Sequence, residues 1–388
     1  MKRFSLLYTL CLCLTYAMGQ PLSSRLDQLL ADTLLADSEV GLMVYDLDDD
    51  TLLYSYQAEK LYRPASVMKI ATAIAALETL GQNHRFATTL YYTGITTPDS
   101  TLQGNLYAVG GFDPLFKLTD MEIFASAVEQ AGIRHINGSI VANISLKDTL
   151  RWGSGWCWDD DMPPLTPLLC EQTDSFTQML CQTMARKGIR ISDSTTRYSA
   201  TPPDTVMTLL AQSTHTLIEV MDRMMKKSDN LHAEALFYHL AAHQSGQPYA
   251  SSEEGGKVVK RLIGQLGFKG KGFRIADGSG VSLYNYLSPA MLTAMLRHAY
   301  RHPRIYRPLY RSLPIAGVDG TLQHRMKKTA AYRNVRAKTG TVTGVSSLAG
   351  YAHAPNGHTL AFVVINQNIL RARAARQWQD RLCHELCR

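Results

Sequence analysis

Residues 64–81 read Pro-Ala-Ser-Val-Met-Lys-Ile-Ala-Thr-Ala-Ile-Ala-Ala-Leu-Glu-Thr-Leu-Gly. Between Pro64 and Gly81 there is no further proline or glycine and alanine is abundant, so the stretch predicts a helix with Ser66 in its first turn. Ser66 and Lys69 are three positions apart and project from one face of this helix. A serine hydroxyl is a poor nucleophile unless a base removes its proton, and a lysine can do so only if its pKa is lowered. The stretch therefore predicts a nucleophile and its base.

Residue patterns also predict the elements around this helix. Strand-forming residues on either side of polar turns predict two β-hairpins, at residues 41–46 with 51–56 and at residues 346–353 with 358–365. Helical patterns predict helices near residues 174–187, 216–243 and 288–302 and at the C-terminus. The segment 152–167 is dense in Trp, Asp and Pro, which indicates an irregular loop.

A second polar segment, Lys226-Lys-Ser-Asp-Asn230, follows much later in the chain. It supplies a hydroxyl at Ser228 and a carboxamide at Asn230, both of which can hydrogen-bond an amine. We expect these two groups to relay a proton and to fix Lys69.

A third segment, Arg336-Ala-Lys-Thr-Gly-Thr341, has the character of a strand. Lys338 and Thr339 can hold a substrate carboxylate through a cation and a hydroxyl, and Gly340 leaves room for an acyl chain along the strand edge. Charge that develops on a carbonyl oxygen during acyl transfer needs preorganised donors. The backbone N–H groups of Ser66 and Thr341 are the predicted oxyanion hole.

The order S-x-x-K, S-D-N, K-T-G is the signature of penicillin-binding proteins and class A β-lactamases. The chain resembles the class C low-molecular-mass penicillin-binding proteins, the D-alanyl-D-alanine carboxypeptidase and endopeptidase family, from about Glu39 nearly to the C-terminus. Beyond the three motifs, the resemblance rests on Arg63-Pro-Ala-Ser66, Ala75-Ala-Leu-Glu-Thr-Leu-Gly81, Gly110-Gly-Phe-Asp-Pro114, Gly155-Trp-Cys-Trp-Asp-Asp160, Asp229-Asn-Leu-His-Ala-Glu234, Asp277-Gly-Ser-Gly280 and Ala316-Gly-Val-Asp-Gly-Thr-Leu322.

The resemblance implies an α/β (mixed α+β) fold. Its main part would be a β-lactamase/transpeptidase-like domain, an antiparallel sheet flanked by helices, with a smaller inserted domain. The corresponding division is a signal peptide at 1–19, the transpeptidase domain at 20–85 and 206–388, and the inserted domain at 86–205. The interval between Ser66 and Ser228 is shorter than in larger members of the family, so we expect one of their inserted domains to be missing here.

The resemblance also implies the reaction and its partners. Peptidoglycan stem peptides would acylate Ser66 as substrates, and β-lactam antibiotics would acylate it as covalent inhibitors. No metal or other cofactor is expected. An acidic residue after the Gly-Trp-x-Trp segment contacts the free amine of a diamino acid side chain in the family, and Asp160 occupies that position, with Asp159 and Asp161 beside it. A carboxylate opposite an ammonium is a physically reasonable pair.

Other enzyme classes are less well supported by the sequence. A Ser-His-Asp hydrolase would need a G-x-S-x-G elbow, which the segment 344–348 lacks. His239 and His243 are spaced to share a metal ion, but the glutamate of a metalloprotease is not between them, and a packed or solvated pair is favoured. Two alternatives stay open: a serine β-lactamase, which hydrolyses its acyl-enzyme quickly, and a non-catalytic peptidoglycan-binding protein of the same fold.

The N-terminus and the overall charge concern location and partners. Lys2 and Arg3 precede an apolar run over residues 4–16 and then small residues, a pattern that predicts a cleaved signal peptide, export and a periplasmic location.

Five cysteines follow this segment, and their spacing leaves disulfide pairing open. The formal charge of +7 suits an anionic cell wall or membrane surface and leaves peripheral association open. The basic residues form no long run, so nucleic-acid binding is not expected.

Overall fold

The structure is a computed structural model that describes residues 20–160, 162–199, 206–270 and 272–388. The predicted signal peptide and Asp161 lie outside the described residues. The strands are β1 (Glu39–Asp46), β2 (Thr51–Tyr56), β3 (Arg85–Tyr92), β4 (Ile95–Thr96), β5 (Thr101–Gln103), β6 (Leu106–Val109), β7 (His135–Ile136), β8 (Ile140–Asn143), β9 (Arg190–Ile191), β10 (Thr196–Ser199), β11 (Thr208–Thr216), β12 (Arg336–Val342), β13 (Val345–His353) and β14 (Thr359–Gln367).

The helices connect and cover these strands. They are α1 (Leu22–Leu30), α2 (Met68–Thr79), α3 (Leu118–Gln130), α4 (Phe176–Arg186), α5 (Leu217–Lys226), α6 (Asn230–Ser245), α7 (Ser252–Ile263), α8 (Pro289–Arg301), α9 (Pro303–Ser312) and α10 (Ala372–Cys387). None of the helices within the described ranges is long and apolar enough to cross a bilayer.

The central sheet is antiparallel throughout, with strand order β12-β13-β14-β1-β2. It contains both predicted hairpins. Side chains of β14 alternate between two apolar cores: Val363 and Ile365 pack on the side of α2 and α8, and Phe362 and Val364 pack on the side of α1 and α10. The sheet therefore has helices on both faces, and the predicted fold class is confirmed.

Helix α2 runs through the larger core. Its residues from Met68 to Leu77 are all buried, which is expected of a helix whose surface is apolar nearly all round. The predicted helix is thus confirmed, but its first turn is a 3₁₀ turn at Ala65–Val67.

The predicted helical region 216–243 is divided into α5 and α6. Ser228, between them, has a backbone φ of +59°, which no α-helix contains. The Asp229 side chain then accepts the backbone N–H of His232 and caps α6. The break places Ser228 in a tight turn and Asn230 in the first turn of a new helix.

The segment between α2 and α5 builds two smaller sheets. One has strand order β10-β8-β6-β3-β11 and the other β4-β5-β7-β9. Helices α3 and α4 cover them and share a separate apolar core with Leu90, Phe124 and Ile140. Strand β11, which begins at Thr208, pairs with β3 and so belongs to this sheet although it follows residue 205. The division into domains stays a prediction.

The five cysteines of the described chain are free thiols. Cys170 and Cys383 are buried, Cys181 and Cys387 are partly buried, and Cys157 is exposed. The i, i+4 pair Cys383 and Cys387 lies on α10.

The indole of Trp378 connects α10 to α1. Replacing Trp378 tests how much the apolar core between these helices and the central sheet contributes to stability. Trp378 on α10 is fully buried, and its Nε1 donates a hydrogen bond to the carbonyl oxygen of Leu29 at 2.9 Å. We expect Trp378→Ala to lower the free energy of unfolding by about 3–5 kcal/mol. Trp158 is 97% exposed, so Trp158→Ala should change it by no more than about 0.5 kcal/mol. Urea unfolding followed by circular dichroism measures both free energies of unfolding. An equal loss in the two variants would contradict the structural role of Trp378.

Candidate active site

Ser66 is presented by a strained turn. Ala65, directly before it, has a backbone φ of +50°, in the left-handed region that is costly for a residue with a Cβ. Two glycines from other elements approach this turn: a Cβ on Gly280 would lie 1.9 Å from the carbonyl oxygen of Ala65, and a Cβ on Gly340 would lie 2.9 Å from the backbone nitrogen of Ser66. The turn is therefore held between the loop at Gly280 and strand β12.

Close packing inside the protein requires a glycine at position 340. A Cβ at this position would also lie 2.2 Å from Oγ of Ser347, whose hydroxyl donates to the carbonyl oxygen of Pro64 at 2.7 Å. The glycine thus lets β12 approach the Ser66 turn closely. The additional room predicted for an acyl chain stays a prediction.

Lys69 is fully buried beside Ser66. Its Nζ lies 3.0 Å from Oγ of Ser66 and donates to Oδ1 of Asn230 at 2.7 Å and to the carbonyl oxygen of Ser279 at 2.8 Å. Burial lowers the pKa of Lys69 to about 8, although nearby carboxylates oppose this effect. The predicted contacts of Lys69 with Ser66 and Asn230 are thus present, and the amine is partly neutral near neutral pH.

The second hydroxyl of the site is paired with the second buried lysine. Lys338 on β12 donates from Nζ to Oγ of Ser228 at 2.8 Å and to the carbonyl oxygen of Thr339 at 2.7 Å. Burial, together with the charge of Lys69, holds the pKa of Lys338 well below its usual range. Because Ser228 accepts from Lys338, its own proton is available to another acceptor.

One cleft collects the exposed parts of these motifs. Ser66, Ser228, Thr339 and Thr341 line a cavity of about 700 Å³. Thr339 Oγ1 donates to Thr321 Oγ1 at 2.8 Å, which orients the Thr339 hydroxyl. The structure therefore brings together all three sequence motifs: their hydroxyls, at Ser66, Ser228, Thr339 and Thr341, line the cleft, and the amines of Lys69 and Lys338 are buried.

Asp160 lies outside the residues that line this cavity. It sits in the irregular segment between β8 and α4, and its Oδ2 accepts the backbone N–H of Cys157 at 2.6 Å. Two residues later, Sδ of Met162 accepts a hydrogen bond from Nδ2 of Asn230 at 3.2 Å. The segment that carries Asp160 thus reaches the site, while the contact predicted for Asp160 itself stays a prediction.

The sequence did not predict the part played by the loop 276–282. Its Ser279 carbonyl is one of the two acceptors of Lys69. The buried carboxylate of Asp277 accepts the backbone N–H groups of Gly280 at 2.8 Å and Ser282 at 2.7 Å, and also Nε1 of Trp156 at 2.8 Å. The loop therefore joins the Trp156 segment to Lys69. The only sequence signal for it was the resemblance of Asp277-Gly-Ser-Gly280 to the family.

His239 packs against another histidine and a backbone carbonyl. His239 is buried, lies 2.9 Å from His84 through Nδ1, and contacts the carbonyl oxygen of Gly111 through Nε2 at 2.8 Å. This agrees with the favoured reading of a packed histidine. Among the residues that the structure describes, the side chains spaced to hold a metal ion are Asp46, Asp49 and His358, which do not line the cleft.

Comparisons with known proteins give a consistent result. The model of the D-Ala-D-Ala carboxypeptidase 3 (S13) family matches residues 22–172 and 168–386. The D-alanyl-D-alanine carboxypeptidase of Actinomadura sp. (strain R39) is 27% identical over 440 residues, which take in 89% of this chain and 80% of that protein. Carboxypeptidase DacB of Mycolicibacterium smegmatis is 29% identical over 367 residues, with 86% and 78% covered.

The fold is shared with solved structures. Penicillin binding protein 4 (dacB) from Haemophilus influenzae superposes with a TM-score of 0.85 at 22% identity, over 93% of this chain and 99% of that one. The peptidoglycan endopeptidase Bd3459 from Bdellovibrio bacteriovorus superposes with a TM-score of 0.60 at 17% identity, over 90% and 92%.

The pKa of Lys69 predicts how acylation depends on pH. Only the neutral amine can take the Ser66 proton, and its fraction rises with pH, so the acylation rate should increase through about pH 8 and then level off. Stopped-flow acylation by a fluorescent penicillin over a pH series measures this limb. A rate that is flat or falls with rising pH through this range would show that Lys69 is not the base.

Proposed function

From the premise that the chain belongs to the D-Ala-D-Ala carboxypeptidase 3 (S13) family, we propose that Ser66 is the nucleophile and Lys69 the general base of a penicillin-binding DD-peptidase. The protein is a serine-type D-Ala-D-Ala carboxypeptidase. The observation that carries the assignment is the contact of the fully buried Lys69 amine with Ser66 at 3.0 Å, supported by Asn230 at 2.7 Å. A second buried lysine, Lys338, contacts a serine of the same cleft, Ser228, at 2.8 Å. This pair joins the S-D-N and K-T-G motifs, for which we propose proton relay and carboxylate recognition.

Acylation uses the neutral form of Lys69. The amine takes the proton of Ser66 while Oγ attacks the carbonyl carbon of the penultimate D-alanine. The developing oxyanion is stabilised by the backbone N–H groups of Ser66 and Thr341. When the tetrahedral intermediate collapses, the C–N bond breaks, and the departing amine of the terminal D-alanine receives the proton that Lys69 took from Ser66, which leaves Lys69 neutral again. Ser228 is placed to relay it, because its hydroxyl accepts from Lys338 and retains its own proton to donate.

Deacylation repeats these steps with water in place of the serine. A water molecule loses a proton to the neutral amine of Lys69 and attacks the acyl carbon. The ester bond to Ser66 breaks, Oγ regains a proton, and the shortened peptide leaves with a new carboxylate. Two chemical steps that share one acyl-enzyme should give ping-pong behaviour.

Lys338, Thr339 and Thr341 are the proposed site for the carboxylate of the terminal D-alanine. Lys338 is buried between Ser228 and Thr339, so its pKa is depressed in the free enzyme. A carboxylate that binds beside it favours the ammonium form, since an opposite charge raises the pKa of a buried amine. Recognition therefore draws on both the Thr339 hydroxyl and the charge of Lys338.

The proposed partners follow from this chemistry. A β-lactam carries a reactive carbonyl and a carboxylate, and the H. influenzae penicillin binding protein 4 has been solved in complex with one. We expect β-lactams to acylate Ser66 and to remain attached, whereas rapid release would indicate the β-lactamase alternative. Asp160 is proposed to contact the free amine of the diamino acid in the stem peptide. Since peptidoglycan lies outside the cytoplasm, we propose export to the periplasm and peripheral association with the wall or membrane surface.

Replacement of the nucleophile tests the proposal directly. Ser66→Ala should abolish both penicillin labelling and cleavage of D-Ala-D-Ala peptides, because it removes the hydroxyl that lies 3.0 Å from the Lys69 amine. Ser38→Ala is a suitable control, since Ser38 does not line the cleft. Labelling is read by gel fluorescence and mass spectrometry, and cleavage by release of D-alanine. Peptide cleavage that persists in a folded Ser66→Ala protein would refute the assignment.

The cleft also favours cleavage of cross-links as a second activity. Beyond Thr339, the same cavity is lined by Arg325, Arg373 and Arg376. Arg325 is paired with Asp380 at 2.7 Å, whereas Arg373 and Arg376 have no acidic partner among the described residues. In a cross-link the leaving group is a second peptide with carboxylates of its own. Two arginines without a described acidic partner, in the same cavity as Thr339, fit such a peptide better than a single D-alanine.

The double variant Arg373→Gln/Arg376→Gln measures this preference. The ratio of kcat/KM for a cross-linked muropeptide dimer to that for a monomeric pentapeptide should fall about 10-fold, because two exposed ion pairs are together worth roughly 1–2 kcal/mol. Arg304→Gln/Arg307→Gln is the matched control, since both residues are exposed on α9, share the i, i+3 spacing and do not line this cleft. An unchanged ratio, read by mass spectrometry of the digests, would exclude the arginines as a cross-link subsite.

A further inference from the structure

Glu234 is a buried acid that the proposed reaction does not use. It lies on α6, one helical turn after Asn230, so both side chains project from the same face of the helix. The Glu234 side chain is 1% exposed, and its Oε1 accepts the backbone N–H of Ser279 at 2.8 Å and that of Gly278 at 3.1 Å. Burial of a carboxyl group costs free energy. A buried carboxyl group that only accepts two N–H groups of a loop therefore requires an explanation.

The loop that Glu234 holds is the one that contacts the catalytic amine. Ser279 receives the Glu234 contact on its N–H side, and its carbonyl oxygen accepts from Lys69 at 2.8 Å. From the opposite side, Oγ1 of Thr72 on α2 donates to the carbonyl oxygen of Gly278 at 2.7 Å. A Cβ on Gly278 would lie 2.6 Å from Cβ of Phe237, so the loop lies directly against α6. The peptide unit between Gly278 and Ser279 is thus held from both helices. The next peptide unit, which carries the Ser279 carbonyl, is held through the Gly280 N–H by Asp277 at 2.8 Å.

The orientation of the Ser279 carbonyl determines where the lone pair of Lys69 points. A neutral amine has two N–H bonds and one lone pair in a tetrahedral arrangement. Oδ1 of Asn230 and the Ser279 carbonyl can only accept, so they engage the two N–H bonds. The lone pair is then left for the proton of Ser66. If the Ser279 carbonyl turned away, an N–H bond could point at Ser66 instead, and the amine could not act as its base.

We propose that Glu234 is a positioning residue for the acylation step, which holds the Ser279 carbonyl so that the lone pair of Lys69 is directed at Ser66. This inference rests on the proposed role of Lys69 as general base. Asn230 and Glu234, four residues apart on α6, then position the two N–H bonds of one amine, the first by direct contact and the second through the backbone of the loop.

The protonation state of Glu234 determines which substitution best tests this proposal. Burial, with the charge of Asp277 adding to it, raises the pKa of Glu234 to about 8. The neutral acid therefore prevails near neutral pH and presents one acceptor oxygen to the loop. Glutamine has the same shape and the same acceptor, so Glu234→Gln should preserve the contact with Ser279. Alanine removes the contact, and aspartate retracts the acceptor by one methylene.

The test separates binding from chemistry by fitting penicillin acylation to a dissociation constant and a limiting acylation rate. We expect Glu234→Ala to lower the limiting rate by about 100-fold, as a misdirected catalytic group does, with the dissociation constant changed less than about two-fold. Glu234→Gln should restore the rate to within about five-fold of the wild type. If the alanine variant does not fold, Glu234→Asp takes its place with the same expected loss of rate.

The control is a buried carboxylate with a similar task elsewhere. Asp46, which is 4% exposed, accepts the backbone N–H groups of Asp48 at 3.0 Å and Asp49 at 3.1 Å at the β1–β2 turn. Asp46→Ala should lower the thermal stability without changing the acylation rate of the folded protein. A wild-type rate in Glu234→Ala or Glu234→Asp would overturn the inference, and so would a glutamine variant as slow as alanine. Failure of Lys69 as base would appear separately, as undiminished acylation by Lys69→Ala.

Discussion

The burial of the Lys69 amine is the constraint on which the site depends. An amine is tolerated away from water only when its hydrogen-bonding positions have partners. The partners of Lys69 come from Ser66 before α2, from Asn230 at the start of α6 and from the loop at Ser279. These segments are distant in the chain, so the site exists only when α2 lies at the centre of the helical layer. Its apolar surface on every side permits this, because α6, α7, α8 and α9 all pack against it.

The hydroxyls of Ser66 and Ser228 both lie at turns with an unfavourable backbone conformation. Ala65 and Ser228 both have a positive φ, and each belongs to a tight turn that precedes an α-helix. Such conformations persist only where surrounding contacts determine them. Around Ala65 these contacts come from Gly280 and Gly340, which allow two other segments to approach the turn. These contacts therefore fix the backbone that carries the Ser66 hydroxyl.

The sequence predicted what side-chain type and spacing can encode. The helix at Ser66, both hairpins of the central sheet and the convergence of the three motifs follow from periodicity, from turn residues and from the resemblance to a family. The role of Ser279 could not be predicted, because a backbone carbonyl is present in every residue and has no signature. The break at Ser228 depends on one φ angle inside a helical pattern. The pairing of β11 with β3 depends on register between distant strands, which no local pattern specifies.

The two buried amines of the site are coupled, and this coupling links recognition to catalysis. The charge of Lys69 lowers the pKa of Lys338, and the effect between two like charges is necessarily mutual. In the proposed reaction a substrate carboxylate binds beside Lys338 and stabilises its ammonium form. The protonation of Lys338 and that of Lys69 are therefore linked, because each charge disfavours the other. In the proposed reaction, binding of the substrate carboxylate beside Lys338 is thus coupled to the protonation state of Lys69, the proposed base.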